Sequence, residues 1–558
     1  MSKKEWFYFL EPWNLVLGIF LGVIVSITKY LMLDTFPILS TELIFSVVII
    51  QNDILLVSVV SLFFWTLCIS KNIFDYIFNE KRSFTKNHSE LSAEKQKALG
   101  MNIPKEYLSK EIEMFTLGRY HNRYFHLPLD ANNITHTLIL GGPGSGKSSS
   151  LLSSLIYNFL ENDKKTVCYC LDPKPEMSYK SVDESREDIH IINPSITSGY
   201  GWNVWYGLDQ NSSDDALIER ADQIVRAIIV NPNNTENIFF YVSAQLLLKA
   251  FLVYGFRKGK GFIDSILQVI HVPLQDLITQ ILLDEEMASH PKIAGMIQSY
   301  ESKDTEAAND VDMTLKLELS IFELDSVRYQ FQENPKMASP MDLTNGISIF
   351  VAIPDHLLHQ YSAIFRLLTV MTLRYLASIP ERERAQKDVP IIWLLLDEFG
   401  SISRVDGILE SLARLRSRKV SIWMAIQSLA QLDMTYGHDG CRQIIDNCTN
   451  TIVFSCNDKQ TADMLSAWAG QYEENKQSVS KKGSDGMLSE KSYTDSKQYR
   501  NILDVSDILQ LRKNNKVLIF TDGFRFLIEK QPYYLIEKLN KTSKQIMQKN
   551  QEVKNASL

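Results

Sequence analysis

The protein is poor in cysteine, and its cysteines are not spaced as a metal or disulfide framework. Its 558 residues include 6 cysteines, and none is followed by a second at the C-x-x-C spacing. Zinc domains and small disulfide-rich domains depend on such pairs. We therefore interpret the cysteines as small buried apolar residues. They are Cys68, Cys168, Cys170, Cys441, Cys448 and Cys456.

Excess positive charge is also missing. The sequence has 58 Lys and Arg against 66 Asp and Glu, which gives a net charge of −8. Dedicated nucleic-acid binders are basic, so this composition excludes a protein that binds nucleic acid over most of its surface. It leaves open contact through a local basic lining, because backbone contact is sequence-independent and needs few cations. Lys and Arg do cluster locally, in residues 414–419 and 538–554.

The longest apolar runs lie near the N-terminus. Residues 13–33 hold a single charge, Lys29, and residues 54–70 hold none. A membrane-spanning helix needs about 20 residues, so residues 1–75 predict a transmembrane hairpin with spans at about 13–33 and 52–74. A cleavable signal peptide fits less well, because no small-residue cleavage site follows the first run. The connecting loop has no Lys or Arg, whereas basic residues flank both spans, which predicts that both ends are cytoplasmic.

The segment HTLILGGPGSGKSSS, residues 136–150, predicts a phosphate-binding loop. Its first part is typical of a short buried strand, and the rest matches G-x-x-x-x-G-K-[ST]. The glycines let backbone N–H groups surround phosphates, Lys147 supplies a charge for the β- and γ-phosphate oxygens, and the Ser148 hydroxyl can ligate Mg²⁺. The predicted nucleotide-binding residues are Gly141, Gly142, Pro143, Gly144, Ser145, Gly146, Lys147, Ser148 and Ser149.

A second acidic motif follows a continuous apolar run at residues 391–396. Such a run predicts a parallel strand buried on both faces, with Asp397 and Glu398 at its carboxyl end. Ligands of open α/β sheets bind at that end. Asp397 is therefore predicted to hold Mg²⁺ together with Ser148, and Glu398 to orient or deprotonate the attacking water.

The distance between the two motifs indicates an insertion. About 250 residues separate Lys147 from Asp397, far more than one or two βα units require. Apolar residues recur at helical spacing through most of residues 209–336. We therefore predict an α/β nucleotide-binding domain in two parts, 76–208 and 337–540, interrupted by an all-α domain at 209–336.

The last third of the sequence alternates strand signals with one strongly polar segment. Strands are predicted in GISIFVAIP, VSIWMAI and NTIVFSCND, and a hairpin is predicted around Asp522 and Gly523. Residues 471–500 are rich in Ser and Lys and almost free of apolar residues, which predicts a mobile surface loop. Residues 541–558 form a basic tail, for which a solvated helix end is the favoured interpretation.

Taken together, these motifs resemble those of the type IV coupling proteins, the TraG/TraD-like ATPases of conjugation and type IV secretion. The resemblance covers almost the whole sequence and includes the order of DPKPE, FVAIP, LLLDEFG and NDKQTADMLSAWAG. Its most specific part is Q-S-x-x-Q-L around Gln427, followed by Tyr436 and Gly437. The sequence departs from the family at Pro175, where glycine is usual, so that turn loses a backbone donor.

The resemblance implies a RecA-like P-loop domain that works as a homohexamer with ATP and Mg²⁺. It assigns catalytic roles to three residues. Glu398 is the base, Gln427 contacts the γ-phosphate or the attacking water, and Arg416 reaches the nucleotide of a neighbouring subunit. For Arg416, and for Arg414 and Arg418 beside it, a solvated helix face is an equally open interpretation.

The expected function is that of a membrane-anchored hexameric ATPase, multi-pass in the plasma or inner membrane with its bulk in the cytoplasm. It would couple single-stranded DNA with an attached relaxase to the channel proteins of a type IV secretion system and drive translocation. Two alternatives remain open: a receptor for protein effectors without DNA transport, and a scaffold that uses nucleotide only to assemble. The intact Lys147, Asp397 and Glu398 argue against the scaffold.

Overall fold

The computed structural model describes most of the sequence that follows the predicted membrane hairpin. The described residues are 103–129, 133–160, 166–231, 238–298, 300, 305–384, 386, 389–482 and 490–556. They all belong to one compact unit, Glu94–Leu558. The transmembrane spans predicted at 13–33 and 52–74 lie outside the described residues.

A mixed 12-stranded sheet forms the centre of this unit. The strands of the unit are β1 Leu108–Ser109, β2 Thr116–Tyr120, β3 Arg123–His126, β4 Thr137–Leu140, β5 Thr166–Asp172, β6 Ile189–Ile192, β7 Gly201–Trp202, β8 Met337–Ala338, β9 Ser348–Ala352, β10 Ile391–Leu396, β11 Val420–Ile426, β12 Asn450–Val453, β13 Gln471–Lys482, β14 Glu490–Asn501, β15 Lys516–Thr521 and β16 Phe524–Lys530. The order in the large sheet is β1-β3-β2-β16-β15-β12-β4-β11-β10-β5-β9-β6.

The sheet has a parallel part and an antiparallel part. From β12 through β4, β11, β10, β5 and β9 to β6, all neighbouring strands are parallel. On the other side of β12, the strands β15, β16, β2, β3 and β1 continue the sheet antiparallel. The predicted hairpin is confirmed, since Asp522 and Gly523 adopt φ angles of 46° and 77° between β15 and β16.

The middle strands are apolar along their whole length because both faces of the sheet are covered. Every residue of β10 (IIWLLL) and of β11 (VSIWMAI) is buried. Helices pack on the sheet and form the helical segment described next. They are α1 Lys147–Leu160, α2 Glu176–Ser181, α3 Asp214–Ile228, α4 Ile238–Arg257, α5 Phe262–His271, α6 Leu274–Leu282, α7 Pro291–Gln298, α8 Thr305–Leu319, α9 Asp325–Phe331, α10 Met341–Thr344, α11 Ser362–Ser378, α12 Glu381–Arg384, α13 Ile408–Arg414, α14 Leu429–Asn447, α15 Lys459–Ala469, α16 Val505–Leu509 and α17 Glu537–Ala556.

Helices α3 to α9 follow one another between β7 and β8, within the range for which the sequence predicts an all-α domain. The short parallel pair of β7 and β8 brings the backbone back to its point of departure, with Gly201 opposite Met337. A buried arginine, Arg366, joins this helical segment to α11. Its guanidinium donates to the carbonyls of Ala227 and Ile228 at the C-terminal end of α3, at 3.0 and 2.9 Å. A cation there offsets the negative end of the helix dipole and satisfies its last carbonyls.

Helix α4 is the one described helix that is long and apolar enough to cross a membrane by length and composition. Of its most apolar window, 56% is buried inside the protein. It packs against α3, α5, α7 and α8, so among the described residues it is the central helix of the helical segment.

Two polar segments differ from the sequence-based expectation. In place of a surface loop at 471–500, β13 pairs antiparallel with β14, from Gln471 opposite Asn501 to Lys482 opposite Glu490. The ladder consists of backbone hydrogen bonds and needs no apolar face, which is why composition did not indicate it. The basic tail is helical, as part of α17, and its Lys541, Lys544 and Lys549 are exposed as a solvated helix end predicts, but one face of the helix packs on the protein. There the buried Asn550 donates to the carbonyls of Tyr179 and Val182 and accepts from the Glu184 N–H.

His136 fixes β4 against β11 from inside the core. The side chain is fully buried, and its Nδ1 accepts a hydrogen bond from the Ile422 N–H at 3.0 Å. The pKa of His136 is lowered to about 4, mainly by burial and also by the positive charge of Arg416. The folded protein therefore holds a neutral imidazole at this position near neutral pH.

We predict that His136 makes the protein acid-sensitive. Below pH 6.5 the unfolded protein takes up a proton at this histidine that the folded protein excludes, so stability is complete above pH 6.5 and falls as the pH drops toward about 4. The free energy of unfolding should be about 2 kcal/mol lower at pH 5 than at pH 7.5 from this group alone. Denaturant unfolding at both pH values measures it. His136→Gln should flatten the difference, whereas the exposed His438→Gln should keep it; equal profiles for both variants would contradict the assignment.

Candidate active site

The phosphate-binding loop lies between β4 and α1, at the carboxyl edge of the parallel strands. Its start is fixed by the Gly141 N–H, which donates to the Ile426 carbonyl of β11, and by the Gly142 N–H, which donates to the Ser455 hydroxyl, at 3.0 and 2.9 Å. Gly144 and Gly146 adopt φ angles of 65° and 91°, which side-chain-bearing residues rarely do. The loop therefore depends on glycine for its shape, as its sequence predicts.

Tight packing also requires glycine at the first position. A Cβ on Gly141 would lie 2.6 Å from the Ser145 hydroxyl oxygen and 3.1 Å from the Phe454 Cβ. Helix α1 then begins at Lys147, with Ser148 and Ser149 in its first turn. The Ser149 hydroxyl donates to the Gly146 carbonyl at 2.9 Å, so it supports the loop from below.

Lys147 and the two predicted carboxylates meet in a buried cluster. The Lys147 ammonium nitrogen is 3.5 Å from Asp397 Oδ1 and 3.7 Å from Glu398 Oε1. It makes no hydrogen bond to any described residue, although its side chain is only 5% exposed. Burial raises the pKa of Asp397, and the charge of Lys147 opposes that rise. A buried ammonium without a hydrogen-bond acceptor is a strong signal for an anionic ligand, because such a group is costly to desolvate.

Glu398 is held in a strained conformation that aims its carboxylate into the cluster. Its φ and ψ are 51° and 32°, in the left-handed region that non-glycine residues avoid. Its N–H donates to Asp397 Oδ1, and its Oε2 accepts a hydrogen bond from the Gln427 amide, both at 3.0 Å. The resemblance places Gln427 on the γ-phosphate or the water; in the structure its amide nitrogen contacts the predicted base.

Sequence reasoning missed a further cation at this cluster. Lys174, in the DPKPE turn between β5 and α2, has its ammonium 3.7 Å from Glu398 Oε1, and its side chain is 44% exposed. Asp172 at the start of the turn is buried and accepts from the Ser178 N–H and hydroxyl, both at 2.8 Å. Asp172 therefore fixes the turn, and the turn presents Lys174. The motif was visible in the sequence, but its contact with Glu398 depends on β5 and β10 being neighbours.

The opposite wall of the loop carries two cations that have no motif of their own. The Lys530 ammonium, at the end of β16, donates to the carbonyls of Ser145 and Phe454 at 2.8 and 3.0 Å. Burial, together with the charge of Arg512, lowers the pKa of Lys530 to about 8. The Arg512 Nη2 lies 3.0 Å from the position that a Cβ on Gly144 would occupy.

Arg416 does not join this cluster. It lies just before β11, at the amino edge of the parallel strands, and its Nε donates to the Ile134 carbonyl at 3.1 Å. The phosphate-binding loop lies at the carboxyl edge of the same strands. The structure thus brings together Lys147, Asp397, Glu398 and Gln427 around the glycine loop and places Arg416 at the other end of the sheet.

The residues of the cluster fit a Mg²⁺-nucleotide. The glycine loop offers backbone N–H groups, the buried Lys147 ammonium lacks a hydrogen-bond acceptor among the described residues, and the carboxylate of Asp397 is a hard oxygen ligand. The orphaned ammonium is the clearest of these observations, because a phosphate oxygen is the acceptor that the loop geometry brings to it. Ser148, one residue farther along α1, would supply the second Mg²⁺ ligand from the protein.

Comparisons with known proteins agree in fold and family. The family model described as type IV secretory system conjugative DNA transfer matches residues 85–556. Two conjugal transfer proteins TraG from Escherichia coli are 23% and 21% identical to this protein over 266 residues, which is 44% of its length. The matches cover 41% and 42% of those relatives, so this protein spans less than half of their length.

Solved structures of the bacterial conjugative coupling protein TrwB have the same fold. The unbound monoclinic form of TrwBdeltaN70 has a TM-score of 0.58 at 16% identity, and the match covers 79% of this protein and 91% of TrwBdeltaN70. The TrwB complex with ADP and Mg²⁺ has a TM-score of 0.57 at 17% identity and covers 78% and 90%. The predicted α/β, RecA-like fold is thereby confirmed. Since the family model covers most of the sequence and every residue of the cluster, the protein belongs to the type IV secretory system conjugative DNA transfer family, the type IV coupling proteins.

Proposed function

We propose that this protein is a membrane-anchored, homohexameric, Mg²⁺-dependent ATPase of conjugation. It couples single-stranded DNA with its relaxase to the channel proteins of a type IV secretion system and drives the DNA through them. The observation that carries the ATPase part is the buried Lys147 ammonium, which lies between the glycine loop and two carboxylates without a hydrogen-bond acceptor among the described residues. TrwB, which shares the fold, has been solved with an ATP analogue and with ADP and Mg²⁺.

The position of each residue in the cluster indicates its role in ATP hydrolysis. The loop N–H groups and Lys147 would hold the phosphates, and Ser148 and Asp397 would hold Mg²⁺, whose chemistry there would be charge neutralisation at the transferred phosphoryl group. Glu398 takes the proton of the attacking water, and the Gln427 amide, bonded to Glu398 Oε2, fixes the orientation of that carboxylate. Arg416 lies too far along the sheet to act in its own site, which supports a role at a neighbour's site.

The cargo assignment depends on the family and not on net charge. A protein with charge −8 does not attract DNA to its whole surface, so DNA contact has to be local, as in the lining of a ring. The membrane anchor is the hairpin predicted at residues 1–75, and it would hold the subunits at high effective concentration.

We expect Lys147→Ala to abolish ATP hydrolysis, because the phosphates lose their buried charge partner. Glu398→Gln should keep nucleotide binding and reduce kcat by about two to four orders of magnitude, because the base is lost while the loop stays intact. Single-turnover hydrolysis and equilibrium binding measure the two effects separately. Glu410→Gln, an exposed carboxyl on α13, is the matched control. Hydrolysis at the wild-type rate by the Glu398→Gln protein would exclude Glu398 as the base.

Arg416 is expected to act in trans. Arg416→Ala leaves its own nucleotide cluster intact, and Lys147→Ala leaves its own Arg416 intact, so each protein alone should be inactive. Mixed before assembly, the two should regain part of the activity, because a Lys147→Ala subunit can present Arg416 to an intact neighbouring site. Arg414→Ala, an exposed arginine two residues earlier, is the control and should remain active alone. A mixture that stays inactive, with mixed rings shown to form, argues for a role within one subunit or for none.

If the protein moves DNA, DNA should stimulate its ATP hydrolysis. Single-stranded DNA of any sequence should raise ATP turnover several-fold, since the contacts are to phosphates and base faces that all sequences share. Rising salt should weaken the stimulation by counterion release. Turnover with and without DNA at two salt concentrations is the measurement. Absence of stimulation together with tight binding of a secreted protein's tail would favour an effector receptor; absence of turnover with Lys147-dependent assembly would favour a scaffold.

A further inference from the structure

Two cations lie side by side on the wall of the phosphate-binding loop that faces away from the carboxylates. The Lys530 ammonium is bonded to the carbonyls of Ser145 and Phe454, and the Arg512 Nη2 lies 3.0 Å from where a Cβ on Gly144 would be. Lys530 is 7% exposed, whereas Arg512 is exposed to solvent. Lys530 thus stabilises the loop by hydrogen bonds, and Arg512 lies on the solvent side of the loop, beside Gly144.

Neither cation has an acidic partner among the residues that the structure describes. Within those residues no carboxylate lies at ion-pair distance from Lys530 or Arg512, and the acceptors of Lys530 are backbone carbonyls. The charge of Arg512 is one of the two causes that lower the pKa of Lys530, so the two groups repel each other. Two adjacent cations beside a glycine loop form a site for an anion, because a bound anion relieves the repulsion.

The backbone around these residues is fixed. Between α16 and β15 the Asn514 N–H donates to the Gln510 carbonyl at 2.9 Å, and the Lys516 N–H donates to the Leu511 carbonyl at 3.0 Å. The Lys530 N–H in turn donates to the Asn515 carbonyl at 3.1 Å. The corner that bears Arg512 is therefore bonded to the strand that bears Lys530. These hydrogen bonds fix the backbone that bears Arg512 beside the phosphate-binding loop.

The position of Arg512 and Lys530 in the sheet decides which phosphates of a bound nucleotide lie nearest to them. β4 has β11 on one side and β12 on the other. Glu398 and Gln427 follow β10 and β11, so the γ-phosphate and Mg²⁺ belong on that side. Arg512 and Lys530 lie on the side of β12, β15 and β16. A cation there meets the phosphates nearer to the nucleoside, which ATP and ADP share.

We infer that Arg512 is a second nucleotide-binding cation that holds the α- and β-phosphates, with Lys530 as the positioning residue that fixes the loop beside it. The inference rests on the proposed nucleotide binding at the same site. A planar guanidinium can give two parallel hydrogen bonds to phosphate oxygens. Because ATP and ADP share these phosphates, Arg512 strengthens the binding of both equally and contributes to affinity, not to the chemical step.

The test compares Arg512→Ala with Lys513→Ala in the full-length protein in detergent. Lys513 is the next residue and is also exposed, and its replacement removes the same charge. Calorimetric titration with Mg²⁺-ADP and with a non-hydrolysable ATP analogue gives Kd, and steady-state turnover gives KM and kcat. Arg512→Ala should raise both Kd values by the same factor, about tenfold or more, and raise KM with kcat within about twofold of wild type. Lys513→Ala should change neither Kd by more than about twofold, and Arg512→Lys should recover part of the affinity.

Several results would overturn the inference. They are unchanged Kd values in Arg512→Ala, equal weakening by Lys513→Ala, and a loss confined to the ATP analogue or to kcat. Equal weakening of nucleotide binding by both variants would mean that any positive charge in this region contributes. A loss confined to the ATP analogue or to kcat would place Arg512 at the γ-phosphate. Thermal unfolding of each variant without nucleotide excludes a folding defect. If wild-type protein binds neither nucleotide, the proposed function itself fails; if wild type binds both and Arg512→Ala binds equally well, only the role of Arg512 fails.

Discussion

The site depends on a buried ammonium whose hydrogen-bonding capacity the described residues leave unused. The Lys147 side chain is only 5% exposed beside Asp397 and Glu398, yet the distances of 3.5 and 3.7 Å leave its ammonium without a hydrogen bond among the described residues. Burying charged groups whose hydrogen bonds are incomplete costs several kcal/mol, and the surrounding structure has to sustain that cost. The strained φ of 51° at Glu398 adds to it. A ligand that brings phosphate oxygens and a divalent cation would give the ammonium hydrogen-bond acceptors and the two carboxylates a cation.

The sheet topology is what sustains this arrangement. Lys147, Asp397 and Gln427 are far apart in sequence, but they follow β4, β10 and β11, which are parallel neighbours in one sheet. Parallel strands bring their carboxyl ends to one edge, so the cluster forms once the strands pair in register. Burial alone does not fix that register, because β10 and β11 are buried on both faces. Trp393 and Trp423 do, because both pack on Phe115 on one face of the sheet and a shift by one residue would turn either ring to the other face.

Sequence reasoning succeeded where a local pattern carries the chemistry. The phosphate-binding loop, the acidic strand end and the Asp522–Gly523 hairpin each have a short signature, and the structure has the corresponding strands and turn. It did not find Lys174, Lys530 or Arg512, because their contacts with the site depend on strand neighbours rather than on spacing. Lys530, for example, bonds to Ser145 across 385 residues of sequence. The β13–β14 pair was missed for another reason: it is built by backbone hydrogen bonds, which leave no apolar pattern in the sequence.

Strand β4 connects the two ends of the sheet at which the proposed functions lie. At its amino end, Arg416 bonds to the Ile134 carbonyl, and the buried His136 accepts from the Ile422 N–H. At its carboxyl end, the Gly141 N–H bonds to the Ile426 carbonyl and opens the phosphate-binding loop. β11 accompanies β4 over this length, so the two strands form one rigid element between the loop and Arg416. The loop and Arg416 therefore lie at opposite ends of the same pair of strands.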